Sequence, residues 1–165
     1  MEAAVVMNRK LVAVFSVSGV TKKLAERIAA LCDGDFLEII PETAYTAADL
    51  DWKNLQSRSS VEMRDKSSRP AIAAACRVAN MEEYDTIYVG FPIWWYVAPT
   101  IINTFLEQYD LKGKKIIPFA TSGASGMGKT NEELAPSCRG AKLLEGRRFE
   151  ANVGDEELRA WLAEA

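Results

Sequence analysis

Three short stretches carry the residues whose types and spacing suit chemistry. The first is SVSGVTKK, residues 16–23, where Ser16, Ser18 and Thr21 surround Gly19. Small hydroxyls add donors without crowding, glycine admits a close ligand, and a helix N-terminus offers free N–H groups and a positive dipole end. This stretch therefore suits a phosphate, although helix capping by Ser18 or Thr21 is the plainer use of the same residues. The second stretch is PIWWYVAP, residues 92–99. Two adjacent tryptophans, Trp94 and Trp95, cannot both enter one core from a regular element. At least one must face a cleft or a surface, where a flat ring can stack; a core plug or an oligomer contact is the alternative. The third is TSGASGMGKT, residues 121–130, whose Gly123, Gly126 and Gly128 keep the backbone bare for a ligand edge.

Residues 123–130 also spell G-x-x-x-x-G-K-[ST], the phosphate-binding loop of ATP- and GTP-binding proteins. A P-loop-like nucleotide-binding protein is thus a rival reading. Such proteins need a further apolar strand ending in a magnesium-holding Asp. Neither TIYVGF nor AKLLEGRRF ends in one. The rival also leaves the other two stretches without a task.

Each stretch should follow a strand. LVAVF at 11–15 is continuously apolar, as a strand buried on both faces is. Helical periodicity over 19–32 puts Val20, Leu24, Ile28 and Leu31 on one face and Lys22, Lys23, Glu26 and Arg27 on the other. DFLEII (35–40), TIYVGF (86–91), KKIIPFA (114–120) and the weaker AKLLEGRRF (141–149) are the remaining strands. Helices are expected at 99–109, 130–138 and 155–164. Strands alternating with helices predict an α/β fold, a doubly wound parallel sheet with helices on both faces. Ligands of such sheets sit beyond the carboxyl ends of the strands, where all three stretches fall. Residues 41–80 break the rhythm as a long polar insertion, in what reads as a single domain over 1–165.

Composition excludes several classes. The 48% apolar and 26% charged fractions are ordinary for a globular protein. A net charge of −3 argues against nucleic-acid binding. No apolar stretch is long enough for a membrane span, and MEAAVVMNRK lacks the order of a signal peptide. Cys32, Cys76 and Cys138 are odd in number and lack metal-ligand spacing, so a reduced, cytoplasmic setting is expected and no metal. Histidine is absent, which removes the commonest general base.

One ligand uses all three stretches: a phosphate for the first, a flat ring for the second, and ring carbonyls and an N–H for the third. That ligand is flavin mononucleotide, FMN. The same residues resemble the flavodoxin family, specifically its short bacterial flavodoxin-like FMN-binding members. FSVSGVTKKLAERIA is similar to the family's [ST]-x-[ST]-G-x-[ST] phosphate loop, GFPIWWYVAPTIINTFLE to its ring-packing loop and helix, and ATSGASGMG to its third flavin loop. The resemblance runs over roughly residues 10 to 164. It implies five strands in the order 2-1-3-4-5 with FMN at the switch point, flavodoxin itself being a standard example of that rule.

By the same resemblance, Ser16, Ser18 and Thr21 would give hydroxyls to the phosphate, with amides of Val17, Gly19, Val20 and Lys22. Pro92, Ile93, Trp94, Trp95 and Tyr96 would cover the ring, and Thr121, Ser122, Gly123 and Gly126 would meet its edge. Val17 and Val20 depart from the usual polar pattern, which keeps a flavodoxin-like fold with a vacant flavin site among the alternatives. The expected function is electron transfer or a small NAD(P)H- or quinone-type reductase, working with a redox partner protein or such a small molecule. Acidic carrier flavodoxins hold an acid in the third loop; here Lys129 stands nearby instead, which predicts a higher two-electron potential. The 45–70 insertion is either a solvated surface loop or, through Tyr45, Trp52 and SRSSVEM, a cover for the flavin or a homodimer contact.

Overall fold

The central strand is β1 (Arg9–Val14), which the computed structural model pairs in parallel with β2 (Asp35–Glu38) on one side and β3 (Tyr84–Pro92) on the other. The structure describes residues 9–122 and 126–164. β3 pairs in turn with β4 (Lys115–Thr121). The order is β2-β1-β3-β4-β5, as the resemblance implies. Chain direction across the sheet reverses between β1 and β3, which places the ligand crevice at their carboxyl ends.

The fifth strand is broken. β5 (Lys142–Leu143) lies beside the start of β4 and β6 (Arg147–Phe149) beside its end. The cause sits in β4. Carbonyls of Lys114 and Ile116 accept from Lys142 and Leu144, so alternate residues of β4 face this neighbour. Pro118 is the next in that series, and it has no N–H to give.

Helices cover both faces. α1 (Val20–Cys32) and α5 (Asp155–Ala163) pack Leu24, Ile28, Leu158 and Trp161 against Val12, Val14, Tyr88 and Phe119. α3 (Thr100–Glu107) packs Ile101, Ile102, Phe105 and Leu106 against Leu11, Ala13, Ile87 and Val89. Alternate strand residues thus feed opposite cores, as a two-residue period requires. The region expected as helix 130–138 is shorter: α4 (Thr130–Leu134) passes into a 3₁₀ turn, Ala135–Ser137. Among the described residues, no helix is long and apolar enough to cross a membrane.

The excursion between β2 and β3 has more order than its polar sequence suggests. It leaves and returns through one neck, where Pro41 bridges Ile72, Glu42 N–H donates to the Ala71 carbonyl and Ala73 N–H to the Ile40 carbonyl. Beyond the neck lies α2 (Arg58–Arg64), capped by Ser57, whose hydroxyl accepts from the Ser60 amide. Arg69 grips Glu107 of α3 with two hydrogen bonds of 2.9 and 3.0 Å.

Candidate functional site

The first loop leaves β1 after Phe15, whose amide bonds to the Gly90 carbonyl. Ser16 Oγ accepts from the Gly19 amide at 3.1 Å, and Ser18 Oγ from the Val20 amide at 3.4 Å. Gly19 has φ +91°, a left-handed conformation that glycine adopts without strain, and it opens α1. No acid stands in the first turn of α1, so nothing there repels an anion from the helix N-terminus. Thr21 lies buried beneath the loop, its hydroxyl oxygen 2.7 Å from that of Thr121 at the end of β4. If Thr121 donates, the Thr21 proton remains for a ligand. The Lys22 ammonium pairs with Glu38 at 3.2 Å, away from any bond to the loop hydroxyls. Val17 is partly exposed beside the cleft, and Val20, expected on the face of Leu24, Ile28 and Leu31, is instead exposed at the first residue of α1.

The second loop solves the problem of the adjacent tryptophans with a tight turn. Trp94 and Val97 exchange backbone hydrogen bonds of 2.9 and 3.1 Å. Between them, Trp95 and Tyr96 have φ +50° and +69°. Two successive non-glycine residues in the left-handed region cost about 1–2 kcal/mol each. The turn sends Trp94 inward, edge-on to Phe15 and Tyr45 at 5.6 and 5.4 Å between ring centres. Trp95 is 37% exposed and Tyr96 70%. Gly128 of the third loop presses on this turn: a Cβ there would stand 2.2 Å from the Tyr96 carbonyl oxygen.

In the third loop, Arg148 of β6 holds Ser122, donating from Nε to its hydroxyl at 3.1 Å and from Nη2 to its carbonyl at 2.8 Å. Open space surrounds Gly126 where a Cβ would stand. Gly123 lies outside the described residues. The nucleotide P-loop reading meets a physical obstacle here. Thr130, the residue that would hold magnesium, is fully buried and donates its hydroxyl to the Met127 carbonyl.

Between the first two loops opens a cleft of about 900 Å³. Its near wall is Val17, Ser18 and residues 92–96, and its far wall comes from the excursion, with Tyr45, Leu50, Trp52 and Ser59. The excursion is therefore a cleft wall rather than a remote surface loop. Tyr45 is fixed from behind. It donates to Glu62, and Arg58 lies 3.8 Å over its ring while bonding Glu62 and the Thr43 carbonyl. Burial, and then the Glu62 carboxylate, push the Tyr45 phenol far above its ordinary value, so it stays neutral. Trp52 is 65% exposed, reaching the cleft from its rim.

The structure gathers Ser16, Val17, Ser18, Gly19, Val20, Thr21, Lys22, Pro92, Ile93, Trp94, Trp95, Tyr96, Thr121 and Ser122 at one edge of the sheet, while Gly126 touches none of them where a Cβ would stand. Arg148 was missed; Tyr45 and the SRSSVEM stretch were singled out, but not the linkage of Tyr45 to Glu62 and Arg58. The signal for Arg148 was the RRF run at the end of the last strand, the one strand whose following residues carried no expectation.

A sheet of this order with these loops at its switch point defines a flavodoxin-type α/β protein. The flavodoxin family profile matches residues 9–165, and the chain belongs to that family. It is similar to a protein of Bacteroides uniformis assigned as a flavoprotein, with 47% identity, 94% of this chain and 98% of that chain covered, and a TM-score of 0.88. A flavoprotein of Lactobacillus acidophilus in complex with FMN shares the fold at 23% identity, covering 94% and 99% of the two chains, with a TM-score of 0.72. The uncharacterized NAD(P)H oxidoreductase YcaK of Escherichia coli is 31% identical over 58 residues, which span 35% of this chain and only 24% of that protein.

Proposed function

We propose that the crevice binds FMN and that the protein passes electrons through it, as a carrier or as a small reductase of NAD(P)H or quinone type. One observation carries the reading: a hydroxyl- and amide-lined loop free of acids opens beside an aromatic cleft at the switch point. The phosphate would meet Ser16, Ser18, Thr21 and the amides of Val17, Gly19, Val20 and Lys22. Thr121 would orient the Thr21 proton toward it. Pro92, Ile93, Trp94, Trp95 and Tyr96 would exclude water from the ring, while Thr121, Ser122 and Gly126 would meet its edge. Bound flavin supplies the electron chemistry, taking up and giving off one or two electrons, and the protein tunes it by charge and access. No side-chain base is required, in keeping with a chain without histidine. The likeness to YcaK supports the NAD(P)H-linked form.

The test is an FMN titration followed by absorbance. The wild-type protein should stay yellow after desalting. Ser18→Asp, which sets a carboxylate against the phosphate, should weaken FMN binding about tenfold or more, the equivalent of about 1.4 kcal/mol. A protein that retains no flavin would overturn the reading.

A further inference from the structure

A second cavity opens at the other end of the sheet, where the strands begin. It measures about 400 Å³, within the range of about 300–1,000 Å³ for small-molecule sites. α3 runs back toward this end, and the residues after it, Tyr109, Asp110 and Leu111, form one wall. Pro136, Ser137 and Arg139, which lead into β5, form the other. The phosphate loop and the aromatic cleft lie at the opposite end, so this cavity is independent of the FMN reading.

The cavity has an apolar floor, from Leu106 and Leu111, both buried. Some of its polar groups are already satisfied. Glu107 accepts two hydrogen bonds from Arg69 and one from Ser137, and the Ser137 hydroxyl accepts from Asn103. Two charged groups are not. The Asp110 carboxylate takes only the Lys112 amide, at 3.1 Å, and Arg139 forms no hydrogen bond or ion pair with the described residues. These opposite charges line one cavity yet do not pair with each other. A ligand with a single charge would attract one of them and be repelled by the other. A ligand that carries both charges on one carbon offers an ammonium to Asp110 and a carboxylate to Arg139. A third, apolar substituent on that carbon would rest on the leucine floor.

We infer that this cavity binds a free α-amino acid with an apolar side chain.

An NMR titration of the isotope-labelled protein with L-leucine tests it. Amide shifts should centre on the cavity, at Leu111 and Ser137 among others, and saturate with a Kd of about 1 mM or below. N-acetyl-L-leucine lacks the ammonium and L-leucinamide lacks the carboxylate. Each should bind at least about tenfold more weakly than leucine, the loss expected of one charge-assisted contact. Asp110→Asn and Arg139→Gln should each raise the leucine Kd about tenfold. In Arg139→Gln the preference for leucine over leucinamide should vanish. Both positions are exposed, Asn keeps an oxygen for the Lys112 amide, and the same spectra report whether the variants fold. The absence of a saturable shift, equal binding of leucine and its two capped forms, or unchanged Kd values in both variants would overturn the proposal.

Discussion

Trp95 and Tyr96 hold a backbone conformation that side chains disfavour, and they hold it at the mouth of the cleft. Strain of this kind persists only where the surroundings enforce it. Gly128 lies close against the turn, where a Cβ would stand 2.2 Å from the Tyr96 carbonyl oxygen. Tyr96→Gly should therefore raise stability by about 1 kcal/mol in urea unfolding while weakening FMN binding. Gly128→Ala should do the reverse of stabilising: the added methyl has no room, and a loss of about 1–3 kcal/mol is expected by the same measurement, together with weaker FMN binding. The hydroxyls and glycines of the first loop were legible in the sequence because their spacing is local. The bond from Thr21 to Thr121 was not, since its partners lie far apart in the chain and only the sheet brings them together. The same holds for Arg148 and Ser122. The P-loop pattern shows the opposite error: Gly128 and Thr130 match it by type, yet one braces a turn and the other caps a backbone carbonyl.

At the level of elements, alternation of apolar runs and amphipathic helices was enough to place four strands and the helices flanking them. The broken fifth strand was harder. Its apolar pattern is continuous, and the break is dictated by Pro118 in a different strand. α2 escaped notice because it is short and its buried face consists of Ser59, Ser60 and Met63 rather than large apolar residues. The excursion is tied to α3 by Arg69 and Glu107. The Arg69 hydrogen bond, with a smaller contribution from Ser137, holds the Glu107 carboxyl below its ordinary value of 4.5. A depressed folded-state pKa contributes stability above the unfolded value and loses it as pH falls through the folded one. Wild-type stability should thus decline as pH drops below about 4.5, the ordinary value for this carboxyl. Glu107→Gln should be less stable near neutrality and should show a shallower acid decline in thermal melts across pH.

For the molecule as a whole, charge around the proposed flavin site sets its redox character. The net charge of −3 is mild, and the described part of the third loop carries no acid. Lys129 follows that loop, and the Arg148 guanidinium grips its first residues. Positive charge near a reduced, anionic ring favours reduction. Arg148→Met should lower the two-electron potential by about 30 mV, the shift that corresponds to about 1.4 kcal/mol for two electrons. Potentiometry of the FMN-loaded variant checks this, and an unchanged potential would remove Arg148 from the tuning of the flavin.

The neck at Pro41 and Ile72 has a consequence for how such a protein can change over evolutionary time. Every strand of the sheet lies outside the loop that the neck closes. One half of the cleft is thus carried on a cassette whose two ends already touch. Exchanging that cassette for another, longer or differently lined, leaves the phosphate loop, the aromatic turn and the strand order in place. A lineage could reshape the lining of the cleft by rewriting this segment alone, keeping the loops behind it unaltered.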